Sequence, residues 1–169
     1  MRISFPDHAE LRPSPDRVRE TLFNWLQPVI LNARCLDLFA GSGALGIEAL
    51  SRGAAEAILV ERDAQTIRSI QDTVLRLGAT EATVVQADAL KFLDTLPTQS
   101  FNVVFLDPPY AAGLLPQVCD KLARQGWLAP SAFIYLEAPS AAPLPALPAS
   151  WVAHRSRQAG QVGYHLFRS

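Results

Sequence analysis

Asp107-Pro108-Pro109-Tyr110 gathers a carboxylate, a proline carbonyl and an aromatic face into one short turn. A planar amine is the group such a set would hold. The carboxylate and the Pro108 carbonyl accept its N–H bonds while the Tyr110 ring stacks on it. The turn follows the apolar, β-branched and aromatic run 100–106, which has the length of a buried strand. Two prolines then end the ladder at the strand's C-terminal end, the edge where an open α/β sheet binds its ligands. Read alone, Asp107 serves equally well as a turn former or the cap of the next helix.

Other acids stand at comparable positions. Residues 34–39 form a strand that carries Asp37, and Ala40-Gly41-Ser42-Gly43-Ala44-Leu45-Gly46 is the turn into a helix ending near Arg52. These glycines match G-x-G-x-x-G in the strand–turn–helix context the pattern requires. Small residues there let the backbone approach a ligand, and the helix N-terminus offers unpaired N–H groups. Glu61 closes the next strand, 56–61, about 20 residues after Gly41, the place for an acid that accepts from ribose hydroxyls. Asp88 follows a third strand, 82–86, where it either holds an adenine amino group or caps a helix over 90–96.

The glycine turn and Glu61 would fit NAD as well as S-adenosylmethionine. Asp37 lies where it could meet the ammonium of a methionine moiety, Asp88 ends the third strand, and the Asp107 turn has no evident use in hydride transfer. Together they favour a methyltransferase over an oxidoreductase.

The elements that must carry these residues are legible in order. Ser14-Pro15-Asp16 reads as a helix start, with Val18, Leu22, Phe23 and Leu26 at helical spacing and Pro28 as the stop. Arg17 and Arg19 lie on its polar face, either solvated or touching substrate or cofactor. Ile67, Ile70, Val74 and Leu77 mark a helix stopped by Gly78, and Leu114, Leu115, Val118 and Leu122 mark another. A fifth strand spans 132–137. The Pro- and Ala-rich stretch 139–149 cannot form a regular element. Runs 151–157 and 162–167 alternate apolar and polar residues around Gly160-Gln161, a terminal hairpin. The expected fold is α/β: one Rossmann-like, doubly wound, mostly parallel sheet of seven strands with a C-terminal antiparallel hairpin, forming a single domain over 1–169.

Composition agrees with that picture. A chain of 169 residues with 49 % hydrophobic and 18 % charged residues is globular and can bury roughly 70 % of its unfolded surface. No apolar run approaches the ~20 residues of a membrane span, and the N-terminus has no signal-peptide core, so the expected location is the cytoplasm and no membrane partner is expected. Cys35 and Cys119 fall in core segments without ligand spacing, His8, His154 and His165 do not cluster, and no metal is expected. Net charge is −1, distributed as 0 over 1–33, −4 over 34–150 and +3 over 151–169. A basic tail on an acidic body fits an oriented contact with a polyanion, or ordinary solubility.

Asp37 to Gly43 with Asp107 to Tyr110 resembles the amino-methylating class of Rossmann-type methyltransferases. More narrowly, 11–26 (LRPSPDRVRETLFNWL), 45–54 (LGIEALSRGA) and Gly126-Trp127-Leu128 resemble the RsmD family, over nearly the whole chain. That resemblance implies S-adenosylmethionine as cofactor and, as substrate, a guanine N2 of 16S small-subunit ribosomal RNA within an assembled or assembling 30S subunit, acted on by a monomer. It implies cofactor contacts from Ser14, Arg17, Asp37, Phe39, Gly41, Ser42, Gly43, Glu61, Arg62, Asp88 and Ala89, with the 11–28 helix region covering the cofactor. Asp107, Pro108 and Tyr110 would hold the guanine, and Arg12, Arg19, Arg155 and Arg157 would meet RNA. Related turns methylate adenine N6 or protein glutamine. Family members usually carry a glycine- and arginine-rich stretch ahead of the first helix. Here an arm of ten residues precedes Leu11, so RNA affinity is the property placed in question while the cofactor site should persist.

Overall fold

The structure, a computed structural model, describes residues 15–109, 113–141 and 143–169. Its elements run α1 (Pro15–Ile30), β1 (Arg34–Asp37), α2 (Ala44–Ser51), β2 (Glu56–Glu61), α3 (Ala64–Leu77), β3 (Ala82–Gln86), α4 (Ala89–Leu93), β4 (Phe101–Leu106), α5 (Leu114–Arg124), β5 (Leu128–Pro139), β6 (Val152–Ala159) and β7 (Val162–Arg168). One seven-stranded sheet has the order β3-β2-β1-β4-β5-β7-β6. The first five strands are parallel, and β7 and β6 join antiparallel. This is a Rossmann-like α/β fold.

The period-two alternation of β4 explains the layering. Val103 and Phe105 enter one core with α1, α2 and α3, including Leu22, Phe23, Leu26, Ile47 and Ile70. Val104 and Leu106 enter the other with Leu93 of α4 and Val118 and Leu122 of α5. Both faces are covered, so β4 reads as a continuous apolar run. Leu22, Phe23 and Leu26 are fully buried, each worth about 1.5–3 kcal/mol relative to exposure.

Several expected boundaries move. Pro28 does not stop α1, which continues to Ile30. Burial of Leu26 and Ile30 against the core holds the last turn despite the donor lost at Pro28. The first strand ends at Asp37 rather than Phe39, because residues 38 and 39 already turn toward the glycine loop. α4 ends at Leu93, short of Leu96. The Leu93 carbonyl accepts from Trp127 Nε1 at 3.3 Å, and Pro97 disfavours helix at the exposed Leu96. β5 is twice its expected length, pairing Leu128 with Phe101 before an irregularity in register. β6 lacks the expected alternation: it is the sheet's outer strand, and its residues 152–158 are all exposed. An irregular register and arginines are common devices for blunting such an edge.

Cys35 and Cys119 are both buried and unpaired. Burial foremost pushes each thiol up to about 12, which makes them inert packing groups. Among the described residues no cluster could hold a metal, and no helix is long and apolar enough to cross a membrane.

Candidate active site

The chain steps outward from β1 to β2 and β3, then returns to place β4 on the other side of β1. The carboxyl ends of β1 and β4 therefore border the crevice where strand order reverses. Asp37 ends β1 and Asp107 follows β4. Asp37 registers with Phe105, so Asp107, two residues on, emerges on the same face.

Among the described residues, Asp37 is the charged residue buried in the core, 3 % exposed. Burial foremost, then the nearby Asp107 carboxylate and Glu61, raises its pKa to about 7, while backbone N–H groups of Gly46 and Phe39 work in the opposite sense. A buried carboxyl held near neutrality beside a second carboxylate would be stabilised in its charged form by a cation. An ammonium group fits that requirement.

The glycine turn is pinned to β2. Ala40 N donates to Val60 O at 2.9 Å, and Gly41 N donates to Glu61 Oε1 at 3.1 Å. The second Glu61 oxygen accepts from Asp63 N at 2.8 Å. Glu61 thus ties the loop after β1 to the turn after β2, beside any ribose acceptor role. Gly43 begins α2 at φ +82 with no side-chain cap.

The three glycines of the motif divide their work. A Cβ on Gly41 would meet nothing within 4 Å, so this is where a ligand can approach the backbone. A Cβ on Gly43 would meet Ile47 Cδ1 at 3.2 Å and Ile70 Cγ2 at 3.4 Å, and so points at the core. Close approach at Gly43, anticipated from the motif, is therefore to α2 and α3 rather than to open space. A Cβ on Gly46 would fall on Leu59 Cδ2, so this glycine lets α2 lie directly on β2.

Phe39 is half-buried, Ser42 and Arg62 are exposed, and Ala89 is buried. Asp88 Oδ2 accepts from Leu90 N at 3.1 Å and Lys91 N at 3.2 Å, capping α4. The cap reading thus has a geometry, and it leaves Oδ1 outside these two bonds. Pro108 is buried, Pro109 is exposed and Asp107 is half-buried.

α1 ends three residues before β1 starts, and its N-terminal end lies about 24 Å from there at 1.5 Å per residue. Arg17, exposed, stands at that N-terminal end. Arg19 does not present a solvent-facing cation as the sequence suggested. It bonds Asp16 at 2.8 Å and lies 3.5 Å from Glu48, tying α1 to α2. Arg155 and Arg157 are exposed on β6. Ser14, Arg12 and Tyr110 lie outside the described residues.

Tyr135 and Glu137 of β5, legible in the sequence only as strand residues, lie beside Phe105 and Asp107. Their signal was an acid closing an otherwise apolar strand, as at Asp37 and Glu61.

Fold and site together define a Rossmann-like methyltransferase of the S-adenosylmethionine-dependent class. The family model described as "Conserved hypothetical protein 95" matches residues 1–168, and the chain belongs to this family, the RsmD family. It is 49 % identical over 167 residues to the Escherichia coli K12 protein "Ribosomal RNA small subunit methyltransferase D", covering 99 % of this chain and 84 % of that one. The Haemophilus influenzae protein of the same name is 41 % identical over 162 residues, covering 94 % and 83 %. The solved structure of Escherichia coli yhhF superposes with a TM-score of 0.89 at 48 % identity, over 98 % of this chain and 90 % of that one.

Proposed function

We propose that the protein methylates the exocyclic N2 of a guanine in small-subunit ribosomal RNA, of the guanine 966 type. The observation that carries this reading is the pairing of Asp37 with Asp107 across the β1–β4 crevice, one carboxyl suited to a cation and the other in a Pro-rich turn suited to an amine. Family membership supports the ribosomal RNA substrate. The RNA is engaged as part of an assembled or assembling 30S subunit, in the cytoplasm and by a monomer, as a single domain whose first helix region covers the cofactor.

S-adenosylmethionine, when bound, supplies a methyl group already activated on a sulfonium. Asp37 would hold its ammonium, with Ser14 and Arg17 at the same end. The backbone at Gly41 and Gly43, with Phe39 and Ser42, would line its approach. Glu61 and Arg62 would meet the ribose, and Asp88 and Ala89 the adenine.

The guanine N2 lone pair is delocalised into the ring and is a poor nucleophile. Hydrogen bonds from N2–H to Asp107 and to the Pro108 carbonyl would orient the amine and localise that pair, with Tyr110 stacked on the base. Positioning of this kind can supply up to ~7–11 kcal/mol in favourable cases. Asp107 then stands ready to accept the proton released after transfer. A base inside folded RNA must be unstacked or looped out to reach such a turn. Arg12, Arg155 and Arg157 would meet phosphates.

Labelled S-adenosylmethionine offered with unmethylated small subunits, naked ribosomal RNA, DNA and a protein extract tests the reading. Label at guanine N2 of the ribosomal RNA is expected. Asp107→Ala is expected to abolish transfer while leaving cofactor affinity within about tenfold, since positioning of the amine is lost and the cofactor's own contacts remain. Label confined to DNA or protein, or a fully active Asp107→Ala enzyme, overturns it.

A further inference from the structure

Two groups on β5 extend the same row. Phe105 registers with Tyr135 and Leu106 with Leu136, which sets Asp107 beside Glu137 on the face that Phe105 and Tyr135 share. Glu137 is half-buried, like Asp107, and both carboxylates interact with other groups of the protein. Below them Tyr135 is fully buried, with its ring edge-on to Phe105 at 6.5 Å.

The Tyr135 hydroxyl is the buried side-chain polar atom without a hydrogen-bond partner among the described residues. Burial, then the charges of Glu137 and Asp107, holds its pKa well above the ordinary value, so it stays a protonated donor. The Glu137 carboxylate favours the protonated form of this hydroxyl. A buried donor left in that state under the influence of two carboxylates is costly for packing alone.

The chemistry two neighbouring carboxylates would recognise is specific. Guanine presents two adjacent donors, N2–H and N1–H. Adenine and 2-aminopurine carry a lone pair at N1. Adjacent strands lie about 4.8 Å apart, so carboxylates on β4 and β5 can each take one of two neighbouring donors. A carboxylate facing an N1 lone pair is repelled and left unpaired.

We propose that Glu137, steadied by the Tyr135 hydroxyl, is a specificity-determining residue that accepts the N1–H of the target guanine while Asp107 and Pro108 hold N2. This rests on guanine-N2 transfer as the activity.

The test uses small subunits reconstituted with RNA carrying either guanine or 2-aminopurine at the labelled nucleotide. 2-Aminopurine keeps the 2-amino group but lacks N1–H. Wild type is expected to prefer guanine by about 100-fold in kcat/KM, the scale of one well-formed base contact. Glu137→Gln, whose amide can donate to a bare N1, is expected to narrow that ratio at least about tenfold with cofactor affinity unchanged. Tyr135→Phe is expected to narrow it by about threefold or more, and it carries the test if Glu137→Gln fails to fold. An unchanged ratio in the folded variant overturns the proposal, as does equal use of both bases by wild type. If wild type methylates neither base, guanine-N2 transfer itself falls, and the inference with it.

Discussion

At the scale of single residues, Asp37 shows how a buried carboxyl destabilises the fold that carries it. Its carboxyl titrates near 3.8 in the unfolded chain and at about 7 in the fold, mainly because it is buried. The folded state therefore holds the proton more tightly. Its contribution to stability is complete below about pH 4 and is lost as pH rises through 7. A rise of that size corresponds to about 4 kcal/mol at most. Asp37→Asn keeps an acceptor for the Phe39 and Gly46 amides and removes the charge. It is expected to stabilise the cofactor-free protein by about 1–3 kcal/mol at pH 8, a gain that shrinks toward pH 4 in urea titrations. Cofactor affinity should fall in the same variant. Lower stability at pH 8 would show that Asp37 is already neutralised by the protein itself.

At the scale of elements, the glycine turn separates packing from ligand approach. Gly46→Ala drives a methyl group into Leu59 where α2 lies on β2. Leu59 is fully buried and has little room to yield, so a loss of about 1–3 kcal/mol in urea-induced unfolding is expected. Gly41→Ala meets open space and strains only a φ of +56. It is expected to cost about 1 kcal/mol of stability while weakening cofactor binding at least tenfold by calorimetry. Equal effects of both changes on stability, with binding intact, would remove Gly41 from the cofactor's path. The motif alone was readable in the sequence. Which glycine faces open space was not, because that depends on where α3 and β2 come to rest.

At the scale of the whole molecule, the outer strand carries the charge asymmetry. Arg157 pairs across from Tyr164, which pairs in turn with Glu137. Arg157 thus stands two strand spacings, roughly 10 Å, from Glu137. Arg155 lies on the same face, opposite Leu166. The double change Arg155→Glu, Arg157→Glu is expected to raise KM for ribosomal substrate about tenfold and flatten the salt dependence of binding, as loss of phosphate contacts does. Cofactor affinity and thermal stability should be unchanged, since both side chains are exposed. An unaltered KM would assign these arginines to solubility.

The sequence by itself determined the alternation of strands and helices, the strand ends that bear Glu61 and Asp107, and the helix cores. These follow from local periodicity and from proline and glycine at fixed places. Boundaries such as α1 running past Pro28 were decided by burial at Ile30, which no local signal carries. The diversion of Arg19 into an ion pair with Glu48, about 30 residues away, likewise needed two helices packed together. So did the placing of Asp107 near enough to Asp37 to raise its pKa, and the setting of an unpartnered Tyr135 hydroxyl beneath Glu137. Those facts are distances between residues far apart in the chain, and only the assembled sheet brings them into being.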